Sequence, residues 1–263
     1  MPSRSGLRTR ILTCGASALV MVAAFAQTGR ASDEAASSRA ERNFFAEMAR
    51  YNKNPNDPEA AWRFALACFD WAELATKNAQ RAEIAEQGTA AARQAIQRAP
   101  QLAAPHYYLA LNLGQLARTK KLAALRLVDE METELKGAIA LDAKFDYAGP
   151  HRSLGLLYAD APGWPTSIGN NSKARLHLHT AIELSPDYPD NQISLLELQL
   201  KWGEKEAVQA QLAATEKLLQ QARTNFTGET WASSWQDWDR RWQALKAKAG
   251  QPSSKLESPR QKK

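Results

Sequence analysis

The side chains most able to do chemistry are few, and their spacing limits what they can do. Histidine occurs at His106, His151, His177 and His179. His177 and His179 are two apart, which puts them on different faces of a helix, whereas two ligands sharing a metal from one helix need a spacing of three or four. His106 and His151 fall near the starts of helices in neighbouring units and can lie close, where capping or groove polarity accounts for both. The chain has no Gly-rich phosphate loop, no metalloprotease motif, no closely spaced Cys pair and no Ser in a nucleophile elbow. No metal, no cofactor and no enzymatic activity are expected. Acidic residues are spread over the helix surfaces, so a helical glycan-processing enzyme with paired carboxylates stays as an alternative.

Recognition chemistry is better represented. Arg152 carries a planar guanidinium suited to anchor a carboxylate in a partly apolar groove, or to stitch adjacent units through an ion pair. The connection Asp160–Asn170 holds Pro162, Pro165, Gly163, Gly169 and Trp164, too long and too stiff for an ordinary inter-helix turn. Trp164 is either a contact anchor or a plug folded onto the helix seam. Trp231, Trp235, Trp238 and Trp242 are spaced four, three and four, a stripe on one helix face. Burial of each such ring contributes about 2–3 kcal/mol, so this helix must lie against something. A cap on the end of the fold is the first expectation; an oligomer contact and a membrane-surface helix remain open.

The elements that position these residues all read as helix. Ala, Leu, Gln and Glu dominate, and apolar residues recur at three and four rather than at two. Helices are expected near 39–51, 58–75, 78–98, 103–118, 121–141, 148–160, 172–184, 189–202, 204–223 and 230–248, joined by short turns that imply antiparallel pairs. Asp57 with Pro58 marks one start, and Ser172 is the expected cap after Asn170-Asn171. The pair Ala95-Ile96 returns as Ala138-Ile139 and Ala181-Ile182, 43 residues apart each time, and a last step of 33 leads to Ala214.

In the third unit Leu154, Gly155 and Tyr158, followed by Ala174, Leu178, Ala181 and Pro186, resemble the tetratricopeptide (TPR) pattern. Small residues let two helices approach, large ones fill the seam, and Pro186 ends the second helix. The resemblance covers about residues 57–221. It implies an all-α, right-handed superhelical array of antiparallel helix pairs: a TPR-like solenoid of about four elongated units with a C-terminal capping helix. It also implies a concave groove lined by first helices, which assigns Tyr108, Leu111, Gly149, Arg152, Leu156, Asp190, Ile193 and Glu197 to a partner or ligand surface. The stretch Gly149–Gly155, the Pro- and Trp-containing connection and Ala181–Pro186 are further similar to periplasmic TPR proteins associated with TRAP transporters, the T component. That likeness implies a solute-binding protein as partner, a homo-oligomer, and a ligand-binding role as the alternative function.

The remaining segments bear on location. Arg4, Arg8 and Arg10, the apolar run Ile11–Phe25 and Ala24-Phe25-Ala26 read as a signal peptide over 1–26, since the run is shorter than the roughly 20 residues that cross a bilayer. Cys14 sits too early in that run, after a poor lipobox, for lipidation, which leaves Cys68 alone and excludes an internal disulfide. Of the net charge of +6, three units belong to the leader and five to residues 246–263, so Gln27–Leu245 carries −2 and nucleic-acid binding is not expected. The expected organisation is a signal at 1–26, a segment with a short helix at 27–56, repeats at 57–221, a Trp-rich capping helix at 228–248 and a basic disordered tail at 249–263. The expected function is a non-enzymatic periplasmic protein that mediates protein–protein interaction through its concave groove.

Overall fold

In a computed structural model of the protein, the described residues are 16–120 and 124–250, with side chains described from Glu34 onward. Most of the expected leader, and all of the tail beyond Gly250, lie outside them. The described chain forms α1 (Ala16–Lys53), α2 (Pro58–Leu74), α3 (Asn78–Arg98), α4 (Ala103–Thr119), α5 (Ala124–Leu141), α6 (Phe145–Asp160), α7 (Asn171–Leu184), α8 (Pro189–Lys201), α9 (Lys205–Asn225) and α10 (Ala232–Gly250). A single 3-10 turn, Glu229–Trp231, precedes α10. No strand occurs among the described residues; Gly163 and Gly169 form one isolated bridge.

Local chemistry explains several of the helix starts. The Asp57 side chain accepts from the Glu59 amide at 2.9 Å and Pro58 occupies the first turn of α2. Pro189 opens α8 in the same manner. α7 is capped by Asn170, whose side chain accepts from Lys173 N, and not by Ser172 as expected, because the helix begins one residue earlier. The short helix expected at 39–51 is the end of the longer α1, since no Gly or Pro interrupts the chain between Ala31 and Asn54.

The helices pack as α2/α3, α4/α5, α6/α7 and α8/α9, and the first members also touch in series, α2 with α4, α4 with α6 and α6 with α8. This is a TPR-like all-α solenoid. The third unit shows why its pattern works: a Cβ at Gly155 would lie 2.9 Å from Leu178 Cγ and 3.1 Å from the Ala174 carbonyl, so the seam closes only over glycine. Ala95, Ala138 and Ala181 are fully buried, and the fourth unit supplies Ala222 in the same role, 41 residues on. Ala214 is exposed, so the shortened last step expected from the sequence is replaced by a unit of ordinary length.

Two main cores result. One runs from Phe44 through Tyr107, Leu113 and Leu135 to Tyr158 and Ala174. The other gathers Tyr188, Ile193, Leu196, Leu219, Phe226, Trp238, Trp242 and Leu245. Leu178, Leu195 and Leu198 form a third, smaller cluster that shares Ala159 and Trp202 with the first. No helix among the described residues is long and apolar enough to cross a membrane.

Candidate functional site

The array bends so that α1 and α2 at one end face α8 and α10 at the other across a cleft of about 720 Å3. Arg39 and Asn43 come from α1, Phe69, Asp70 and Leu74 from the last turns of α2, Tyr188 and Asp190 from the start of α8, and Ser234, Asp237, Trp238 and Arg240 from α10. Apolar walls thus meet a rim carrying both signs of charge.

A buried polar network supports this cleft. Arg152 on α6 is 7% exposed. Its Nε lies 3.1 Å from Asp190 Oδ2, its Nη1 donates to Asn191 Oδ1 at 2.9 Å, and Asp146 Oδ2 is 3.8 Å away. The guanidinium also lies over the Tyr188 ring, 5.1 Å from its centroid. Arg241 on α10 closes the other side: it donates to both oxygens of Glu197 at 3.0 and 2.7 Å, to Ser194 Oγ at 3.0 Å, and to Asp190 Oδ1. Asp190 therefore sits between two guanidiniums. Burial pushes its carboxyl up, and Arg152 and Arg241 more than offset this, holding it below the usual carboxylate range.

Entry into α6 is unusual. Asp146, Tyr147 and Ala148 have φ of 48°, 56° and 61°, a left-handed turn made without glycine. Such backbone costs roughly 1–2 kcal/mol per residue and persists only where the surroundings over-determine it. Here they do. Asn191 Nδ2 donates to Tyr147 O at 3.1 Å, as well as to Ala181 O and Ser185 O at 3.0 and 3.2 Å. The Tyr147 ring stacks on Tyr188 at 4.5 Å and meets Phe226 and Trp231 edge-on. A Cβ at Gly149 would lie 2.6 Å from the Tyr107 hydroxyl oxygen and 2.9 Å from Asp146 Oδ2, so glycine is required there. Burial raises the Asp146 carboxyl, with Arg152 and Tyr107 pulling the other way.

The residues assigned to the groove divide. Asp190 lines the cleft, and Arg152 and Glu197 belong to the network behind it. Arg152 is held by this chain's own Asp190, which is the stitching role and not the carboxylate anchor. Tyr108 is buried, stacked on Trp62, and Ile193 is fully buried in the second core, so neither offers a groove surface. Gly149 is buried; Leu111 and Leu156 are half-buried against the cores.

Trp164 is 89% exposed and does not plug the seam. Its loop closes on itself through Thr166 N and Ser167 N to Gly163 O and Gly169 N to Pro162 O, which leaves the indole outside. Trp238 and Trp242 are buried where α10 packs over α8 and α9, with Trp242 Nε1 donating to Glu216 and Trp235 Nε1 to Phe226 O, each at 2.7 Å. Trp231 and Trp235 are half-buried at its edge.

His151 meets His177, not His106: their Nδ1 atoms are 2.9 Å apart, while His106 bonds to Glu134 at 2.6 Å. No group of three or more metal-ligating side chains occurs among the described residues. Asp70 and Asn191, both central to the site, had no distinguishing mark in the sequence. Two of the partners of Asn191, Arg152 and Tyr147, lie about forty residues away, and the residues that face Asp70 across the cleft lie further still.

Comparison with known proteins agrees with the architecture. A thermophilic TPR protein of Thermus thermophilus, TTC0263, superposes with a TM-score of 0.60 at 19% identity, over 80% of this chain and 92% of that one. Human IFIT1, solved as a dimer with PPP-AAAA, aligns at a TM-score of 0.37 and 20% identity, over 81% of this chain and 55% of its own. Yeast Tom70 aligns at 0.30 and 12%, over 81% and 60%. No curated protein matches the chain in sequence. The likeness to TRAP-associated proteins gains no support from these matches. The family model for regulator of microtubule dynamics protein 1-3 matches residues 25–156, half of the chain, and the protein belongs to that family.

Proposed function

We propose that this protein is a non-enzymatic binding module of the bacterial periplasm that docks a protein partner in the cleft between α1–α2 and α8–α10. The observation that carries the reading is the cleft itself, about 720 Å3 of open space within a TPR-like array, walled by Phe69, Leu74 and Trp238 and rimmed by charge. Aromatic and arginine side chains around an apolar floor are the usual centre of a protein interface. Export rests on the leader-like residues 1–26. The charge of −2 on the body speaks against nucleic acid as the main partner. The family's name refers to microtubule dynamics; an exported chain does not meet microtubules, so the partner proposed is a periplasmic protein.

Site-specific photo-crosslinking tests this. A benzophenone side chain at Ser234, in the cleft, is expected to capture a discrete protein from the periplasmic fraction, and one at the exposed Lys217 of α9 is not. Equal capture from both positions, or a full-length protein that stays in the cytoplasm, would overturn the reading.

A further inference from the structure

We propose that the cleft seats one basic side chain of the partner polypeptide, a lysine or an arginine, on the carboxylate of Asp70. This rests on the cleft being the docking surface, and it adds what that surface recognises.

Four carboxylates line the cleft, and three are already engaged. Glu73 accepts from Gln115 and Arg118. Asp190 is held by Arg152 and Arg241. Asp237 is held by Arg240 and Arg241. Asp70 has no hydrogen bond and no ion pair among the described residues, although it is half-buried in the inner layer of helices. Arg39 lines the same cleft from α1 without coming within ion-pair distance of it.

A carboxylate in that position loses water without gaining a partner, which is costly unless a cation completes it. The consequence is visible in its protonation: burial, aided by the nearby charge of Asp146, pushes the Asp70 carboxyl up to about 7. A hard divalent cation would need several oxygens, and the other three carboxylates are committed to arginines. A basic side chain needs only one. Its alkyl stem, with an apolar neighbour in the partner's sequence, matches the walls made by Phe69, Leu74 and Trp238.

The test uses the full chain and a capped dipeptide, acetyl-Phe-Arg-amide, beside its neutral isostere with citrulline in place of arginine. Carbon-detected NMR of the Asp70 carboxyl is expected to show a saturable shift with the arginine probe and a fall in the Asp70 pKa from near 7. Affinity is expected to be about tenfold or more weaker for the citrulline probe, and for the arginine probe on Asp70→Asn. No saturable shift, equal binding of the two probes, or unaltered binding by Asp70→Asn would overturn the proposal. So would binding that tightens about tenfold when Lys255, Arg260, Lys262 and Lys263 are all changed to Gln, since the seat would then belong to this chain's own basic tail. Capture of a partner from Ser234 at undiminished yield in Asp70→Asn would leave the docking surface standing and remove the cation seat.

Discussion

At the scale of single residues, the protein spends its buried charge on joining units. Arg152 and Arg241 both reach Asp190, so α6, α8 and α10 share one carboxylate. That Arg152 would be important was readable from its type and its place after Gly149-Pro150. Its partner was not, because Asp190 and Asn191 are nearly forty residues further along and carry no local mark. The histidine pair was likewise hidden in spacing alone. His177 stacks on Tyr158 and faces His151, and burial first, then the charges of His151, Lys136 and Lys173, push it down to about 4. The unfolded chain takes up this proton near pH 6.5, so between about 6.5 and about 4 the unfolded state holds more protons. This part of the stability is present in full above pH 6.5 and is lost as pH falls through 4. Urea denaturation of the parent at about pH 7.5 and about pH 5 is expected to show a drop that His177→Asn makes smaller; identical drops would refute the assignment.

At the scale of elements, glycine marks where helices must come close, and its effect depends on what stands opposite. In an open helix position, Gly→Ala stabilises by about 0.5–1 kcal/mol. At Gly137 a Cβ would meet nothing nearer than His106 Nδ1 at 3.6 Å, so Gly137→Ala is expected to raise the melting temperature. At Gly88 a Cβ would fall 2.3 Å from Asn112 Oδ1 and 2.7 Å from Cys68 Cβ. Asn112 cannot yield easily, because its amide donates to Ala65 O and Tyr108 O at 2.9 and 2.8 Å. Gly88→Ala is therefore expected to destabilise by about 1–3 kcal/mol, with opposite signs for the two substitutions in parallel thermal melts. Helix identity and most boundaries were legible because periodicity, Pro at the first turn and side-chain caps act within a few residues. The left-handed turn at Asp146–Ala148 was not: no glycine announces it, and it is held by Asn191 and Tyr188 from another unit.

At the scale of the whole molecule, the solenoid is divided into a core from Phe44 to Ala174 and a core from Tyr188 to Ala249, joined by few side chains. Arrays whose units touch mainly their neighbours unfold in parts. Trp238 is central to the second core, touching Tyr188, Phe226, Trp231 and Trp235. Trp238→Ala is expected to cost about 3–5 kcal/mol and to speed hydrogen exchange across 189–249 while leaving 58–116 unchanged. Uniform acceleration along the chain would show a single cooperative unit instead.

Local patterns in the chain were enough for the all-α class, the pairing of helices, the small-residue seams and a tryptophan helix with an apolar face to bury. Each of these repeats within one helix or one unit, so neighbouring residues suffice to reveal it. Four features instead needed the folded array: the sharing of Asp190, the unpaired Asp70, the outward Trp164 and the cleft between the two ends. The first three depend on side chains or loop bonds that come together only once the chain has folded, and the cleft depends on the small rotation from one unit to the next, which accumulates along the solenoid and brings α1 and α2 opposite α8 and α10. No local pattern encodes that sum.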